Sequence, residues 1–150
     1  MGGIDTDPAS NDIAQAVVGA STYFTKENCG LNNMWVGRVW MNPPYASPLI
    51  GQFCNRLSMF RSLGIVTEFV TLTNNATDTK WFASLISVCD AICFPTGRIS
   101  FVAPDGTLGK TPLQGQCFTY SGPNITMFKD EFSKYGPVFI TLKEQHENRH

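Results

Sequence analysis

The residues that invite chemistry are Asn42-Pro43-Pro44-Tyr45. Neither proline carries an N–H and both have a fixed φ, so the carbonyls beside them are held rigidly with no neighbouring donor competing. The Asn42 side-chain oxygen and the Pro43 carbonyl can then point together as two acceptors. A planar amino group donating to both is drawn towards tetrahedral geometry, and its lone pair becomes free to attack a methyl sulfonium in line. The Tyr45 ring can stack on a base turned out of a duplex. No strong general base is needed, in keeping with a sequence whose histidines, His146 and His150, stand near its end. The structural alternative is a strand-terminating turn or a proline-rich ligand segment. Placement after the apolar run Arg38-Val39-Trp40-Met41 favours the chemical reading.

The surrounding pattern supplies elements to hold such a group. Residues 36–41 read as a buried strand, which the prolines stop. Before it, Gly2-Gly3-Ile4-Asp5 reads as the end of a short strand, residues 12–18 as a helix capped by Ser10 or Asn11, and residues 21–25 as a short strand. After it, Leu49, Ile50, Phe53, Leu57 and Phe60 recur near helical spacing over residues 47–63, and Gly64 ends that helix. Residues 65–72 predict a strand, 78–88 a helix and 91–94 another strand. The runs 99–102 and 117–120 lie between Gly/Pro-rich turns and predict a C-terminal β-hairpin.

Strands alternating with helices imply an α/β fold with a parallel sheet and crossover helices. Ligands bind such sheets beyond the carboxyl ends of the strands. Three polar clusters fall at expected strand ends: Asp5-Thr6-Asp7, Asn42 to Tyr45, and Thr73-Asn74-Asn75. One shared site is the expectation, in a single domain over residues 1–143 followed by a polar tail, 144–150.

Composition restricts the alternatives. An apolar fraction of 43% belongs to a folded chain, and no apolar run or leader suggests a membrane, so a cytoplasmic protein is expected. The five cysteines are scattered, with no histidine beside Cys89 and Cys93, so buried free thiols are expected and no metal site. Net charge is −1, with the basic excess in residues 36–110; a mildly basic middle suits phosphate but decides nothing alone.

A series of segments resembles the phage-type DNA N6-adenine methyltransferases. It runs from Gly3-Ile4-Asp5-Thr6-Asp7-Pro8-Ala9-Ser10 through Asn28-Cys29-Gly30-Leu31 with Trp35 to Gly37-Arg38-Val39-Trp40-Met41-Asn42-Pro43-Pro44-Tyr45. It continues through Leu72 to Phe82, Cys93-Phe94, Gly97-Arg98-Ile99 with Phe101, and Gly115-Gln116 with Tyr120. The resemblance spans residues 2 to about 140, in the family's order. It implies methyl transfer from S-adenosylmethionine to an adenine flipped out of DNA, on a Rossmann-like sheet. Asn42 and Pro43 would accept from the adenine amino group, with Pro44 completing the motif and Tyr45 stacking on the base. Asp5 or Asp7 would bind the cofactor's ribose, the other capping the next helix. Asn74 and Asp78 would line the cofactor or base pocket, although Thr77 or Asp78 also suits a helix cap. Arg98 and Lys80 are candidates for DNA contact, Arg98 alternatively as a solvated strand residue. Trp81 and Phe82 suit the core better than base stacking.

The sequence also departs from that pattern. It has no glycine-rich loop after its first strand and no Glu-Trp-Tyr-Thr-Pro segment before it, so the methionine end of the cofactor lacks an obvious partner. Weak cofactor binding is expected, with an upstream segment or self-association completing the site. Two other readings follow from the same residues: a non-catalytic module that keeps the fold, and a protein methyltransferase, since Asn-Pro-Pro-Tyr can also present a glutamine amide.

Overall fold

A computed structural model describes residues 1–99, 107 and 115–143. The expected tail, 144–150, lies outside these residues, as do positions 100–102 of the expected 99–102 strand. The chain runs through β1 (Thr6–Asp7), α1 (Asp12–Val18), β2 (Thr22–Tyr23), a 3-10 turn (Gly30–Asn32), β3 (Gly37–Met41) and α2 (Leu49–Ser62). It continues with β4 (Val66–Asn74), α3 (Lys80–Val88), β5 (Ala91–Cys93), β6 (Gln116–Ser121), α4 (Ile125–Phe132) and β7 (Val138–Ile140).

These strands form one sheet in the order β2-β1-β3-β4-β6-β5-β7. The first four pair in parallel, while β6 runs antiparallel to both β4 and β5, and β7 antiparallel to β5. The fold is therefore α/β and Rossmann-like, as expected, with crossover helices joining parallel neighbours. The region after β5 differs from the expected hairpin. Residues 117–120 belong to β6, which inserts between β4 and β5, and the segment is followed by a helix and an edge strand. Pairing of this kind depends on residues distant in sequence, which a local turn pattern does not encode.

Alternation along β4 builds the two faces. Phe69 packs with Trp35, Phe53, Leu57, Phe60 and Leu85 beneath α2 and α3, whereas Val70 and Leu72 pack with Phe118, Tyr120 and Phe128 beneath α4. Trp35 is fully buried, stacks on Phe53 and donates its indole N–H to the Gly30 carbonyl at 2.9 Å. Buried Cys54, Cys89, Cys93 and Cys117 are free thiols, and burial raises each pKa. Among the described residues no cluster of His, Cys, Asp and Glu could hold a metal ion, and no helix is long and apolar enough to cross a membrane.

The connection from β1 turns outward to β2, and the chain then returns to lay β3 on the other side of β1. Neighbouring strands thus send their following segments in opposite directions between β1 and β3. The gap left beyond their carboxyl ends is the usual ligand crevice of such sheets.

Candidate active site

Asn42 to Tyr45 follow β3 directly and stand at that crevice. A cavity of about 810 Å³ opens there, lined by Pro8, Ala9 and Ser10 after β1, Thr25 and Lys26 after β2, and Asn42, Pro43 and Tyr45 after β3. Leu49 and Phe53 of α2 add apolar wall. The size lies within the range of small-molecule sites, and the mixture of apolar wall with a few polar groups is typical of them. Pro43 is buried, Pro44 exposed, and Asn42 and Tyr45 half-buried. A second cavity, of about 590 Å³, shares Tyr45 with the first and is lined also by Ser47, Asn55, Asn74, Asp78, Lys80 and Trp81 among others.

Tyr45 belongs to both cavity walls. Its hydroxyl donates to the Leu72 carbonyl at 3.3 Å and accepts from Gln116 Nε2 at 3.4 Å. Burial pushes the phenol up to about 12, so it stays protonated at neutral pH. The ring is therefore anchored at its far end by neutral hydrogen bonds.

The two acids of the first cluster part company. Asp7 closes β1 at the crevice, is 2% exposed, and accepts from Ala9 N at 3.3 Å and Gln15 Nε2 at 2.9 Å. Burial pushes its carboxyl up to about 6, against the hydrogen bonds from Ser10, Ala9 and Gln15, which pull it down. Its side chain shapes the Pro8-Ala9-Ser10 loop from behind. Asp5 precedes β1 and lies at the opposite, amino edge, where it accepts from Arg38 N at 2.8 Å and faces Arg38 Nε at 3.4 Å. Gly37 has φ +71°, and a Cβ there would meet the Asp5 carboxylate, so the glycine makes this contact possible. Asp5 is not on either cavity wall. The helix after β1 is capped by Asn11, whose Oδ1 accepts from Ala14 N, rather than by either acid.

The loop after β1 has no glycine of its own, yet it is brought close to its neighbour by one. A Cβ at Gly30 would collide with the Pro8 carbonyl, so the 3-10 turn can back the loop only as glycine. A sequence reading that seeks glycines within the loop misses this substitute across space.

Asn74 ends β4, and Asp78 and Lys80 are exposed beside it. All three border the smaller cavity and none borders the larger. The α3 cap is Thr79, whose Oγ1 accepts from Phe82 N at 3.3 Å, not Thr77 or Asp78. Phe82 is buried, while half-buried Trp81 packs on the core and lines the smaller cavity. Arg98 is exposed and outside any strand. Thr25 and Lys26 were not singled out from sequence. Their signal is topological, because they follow the strand next outward from the crevice.

A family model described as DNA N-6-adenine-methyltransferase (Dam) matches residues 6–146, from β1 past β7. No curated protein and no solved structure matches the chain. The match spans the crevice, both cavities and the whole sheet, and on it the chain belongs to the DNA N-6-adenine-methyltransferase (Dam) family.

Proposed function

We propose that the chain methylates the N6 amino group of adenine in DNA, with S-adenosylmethionine in the larger cavity and the flipped base in the smaller. The observation that carries this reading is Tyr45, a ring shared by two cavities at one sheet edge, three residues after the Asn42 acceptor. The larger cavity fits the cofactor by its chemistry. Leu49, Phe53 and Pro43 give apolar wall, Ser10 and Thr25 give hydroxyls, and among the described residues Lys26 is the cation of its lining. When bound, the cofactor supplies an electrophilic methyl group.

Asn42 and Pro43 line the larger cavity and not the smaller, so the base stacks on Tyr45 with its amino edge reaching into the larger cavity. There Asn42 Oδ1 and the Pro43 carbonyl accept its two N–H groups beside the methyl donor. Asp7 orders the loop that walls the cofactor, and Asp5 has no direct part. Lys26 offers its charge to the cofactor's carboxylate. Asn74 and Asp78 serve the base side rather than the cofactor, while Lys80 and Arg98 face DNA phosphate. The setting is cytoplasmic, that of a host if the chain is phage-encoded.

The test is incubation of the purified chain with labelled cofactor and unmethylated DNA, followed by identification of the nucleoside. N6-methyladenine is the expected product, and Asn42→Ala removes it. Cofactor binding without transfer to DNA, or label in protein, would overturn the reading in favour of a binding module or a glutamine methyltransferase. Sedimentation at the assay concentration shows whether self-association contributes.

A further inference from the structure

Gln116 opens β6, is 5% exposed, and its amide faces two ways. Oε1 accepts from the backbone N–H of Ile99 at 2.8 Å, and Nε2 donates to Tyr45 Oη at 3.4 Å. The Ile99 contact fixes the orientation of the amide. A backbone N–H can only donate, so the oxygen must face it and the NH₂ must face the phenol. Tyr45 then uses its own proton on the Leu72 carbonyl. The bonds run in one sense, from Ile99 through Gln116 and Tyr45 to β4. A glutamate would keep the acceptor and lose the donor, and a leucine would lose both.

What stands at the far end of this chain gives it meaning. Ile99 directly follows exposed Arg98, and Thr96 on the other side donates its N–H to the Tyr135 carbonyl at 3.0 Å. Arg98 is thus carried between two tethered backbone positions, and one tether is the amide that also holds Tyr45.

We infer that Gln116 is a positioning residue that fixes the Gly97-Arg98-Ile99 segment relative to the Tyr45 ring. Phosphate held by that segment and a base stacked on the ring are thereby kept in one register. This role rests on the DNA-methylating reading proposed above.

The test compares Gln116→Leu, Gln116→Glu and Tyr45→Phe, singly and as double variants, in the full chain. Gln116→Leu and Tyr45→Phe each lower kcat/KM for DNA about tenfold, the scale of one uncharged hydrogen bond. The double variant loses no more than the worse single one, and in the Gln116 variants cofactor affinity is unchanged. Gln116→Glu matches Tyr45→Phe more closely than Gln116→Leu does. Gln116 is buried, so a second measurement leaves it in place. In the Tyr45→Phe chain, the Gln116 side-chain amide and the Ile99 backbone amide shift in NMR spectra. Additive losses, or unmoved resonances at those amides, overturn the assignment. A wild-type chain that methylates no DNA removes the proposed function and with it the register argument. Unmoved resonances in an active wild type remove the Gln116 role alone.

Discussion

At the amino edge of the sheet, polar groups are paired with one another. Asp5 holds Arg38, Asp90 accepts from Ser121 Oγ and Gly122 N and meets Lys143, and Arg61 donates to Ser121 Oγ at 2.7 Å. Nearby, Glu68, 3% exposed, accepts from Tyr120 Oη and Asn124 Nδ2. At the carboxyl edge, Ser10, Thr25, Lys26, Asn42, Asn74 and Asp78 border open cavities instead. Both edges carry acids and cations, so composition does not separate them. The difference is one of place. The amino-edge groups bond to one another away from these two cavities, whereas the carboxyl-edge groups, Ser10 with its bond from Gln15 and Thr25 with its bond from Asn28 included, also border space that a ligand can fill.

That contrast breaks if substitutions at the two edges have the same kind of effect. The largest effect is expected at Asn42→Ala, about 10²–10³ in methylation rate, by analogy with the loss of one hydrogen-bonding group in a reaction site. Its thermal midpoint should stay within a degree or so of wild type, since the change lies at a half-buried site and Pro43 still ends the strand. A wild-type rate in this variant would leave the motif as a turn only.

Asp7 sharpens the comparison through pH. Its carboxyl is raised from 3.8 to about 6, so the folded chain holds the proton more firmly than the unfolded one. The stability this group contributes is full below about pH 4 and is lost as pH rises through about 6. Unfolding free energies of wild type and Asp7→Asn, followed from pH 4 to 8, should diverge by about 3 kcal/mol over that window and run parallel above it. Parallel curves throughout would mean that Asp7 is not shielded from water.

Lys26→Ala should weaken cofactor binding about tenfold with little change in melting, since Lys26 is exposed and would lose only the charged contact proposed to the cofactor. Calorimetric titration checks it, and an unchanged affinity would move Lys26 to the DNA side. The smallest effect belongs to Asp5→Ala. It should cost about 1 kcal/mol of stability, because the ion pair is partly exposed and its backbone hydrogen bond is the larger loss. Cofactor affinity should not change. Weaker binding there would restore Asp5 as a ligand and undo the contrast between edges.

The legible parts of the fold were those written locally. The helix α1 covers the expected residues 12–18, capped by Asn11, one of the two expected caps, and Gly64 with φ +76° terminates the α2 segment where helical spacing stops. The α4 helix was missed although Ile125, Phe128 and Phe132 follow helical spacing, because Gly122-Pro123 and Gly136-Pro137 enclose it in breaker residues. The position of β6 was not legible, since its partners Asn74 and Cys93 are distant in sequence. Within the site, Asn42 to Tyr45 were marked by their chemistry together with the apolar strand before them and the family resemblance that includes them. Asp5 and Asp7 could not be separated, because β1 is two residues long and the boundary between its edges falls between them.

The shortness of β1 has a further consequence for how the crevice wall behaves in time. Its register with β3 is one residue pair, Thr6 with Val39, and α1 buries no residue at all. The wing formed by β1, α1 and β2 is therefore a small cooperative unit beside a large one. Its amides should exchange with solvent through local opening long before the β4 and β6 amides do. A ligand spanning the crevice touches that wing and the rest of the sheet together, so it must slow exchange in residues 5–25 far more than in β4. In this protein, filling the site and closing the wing would be one equilibrium, read by two different instruments.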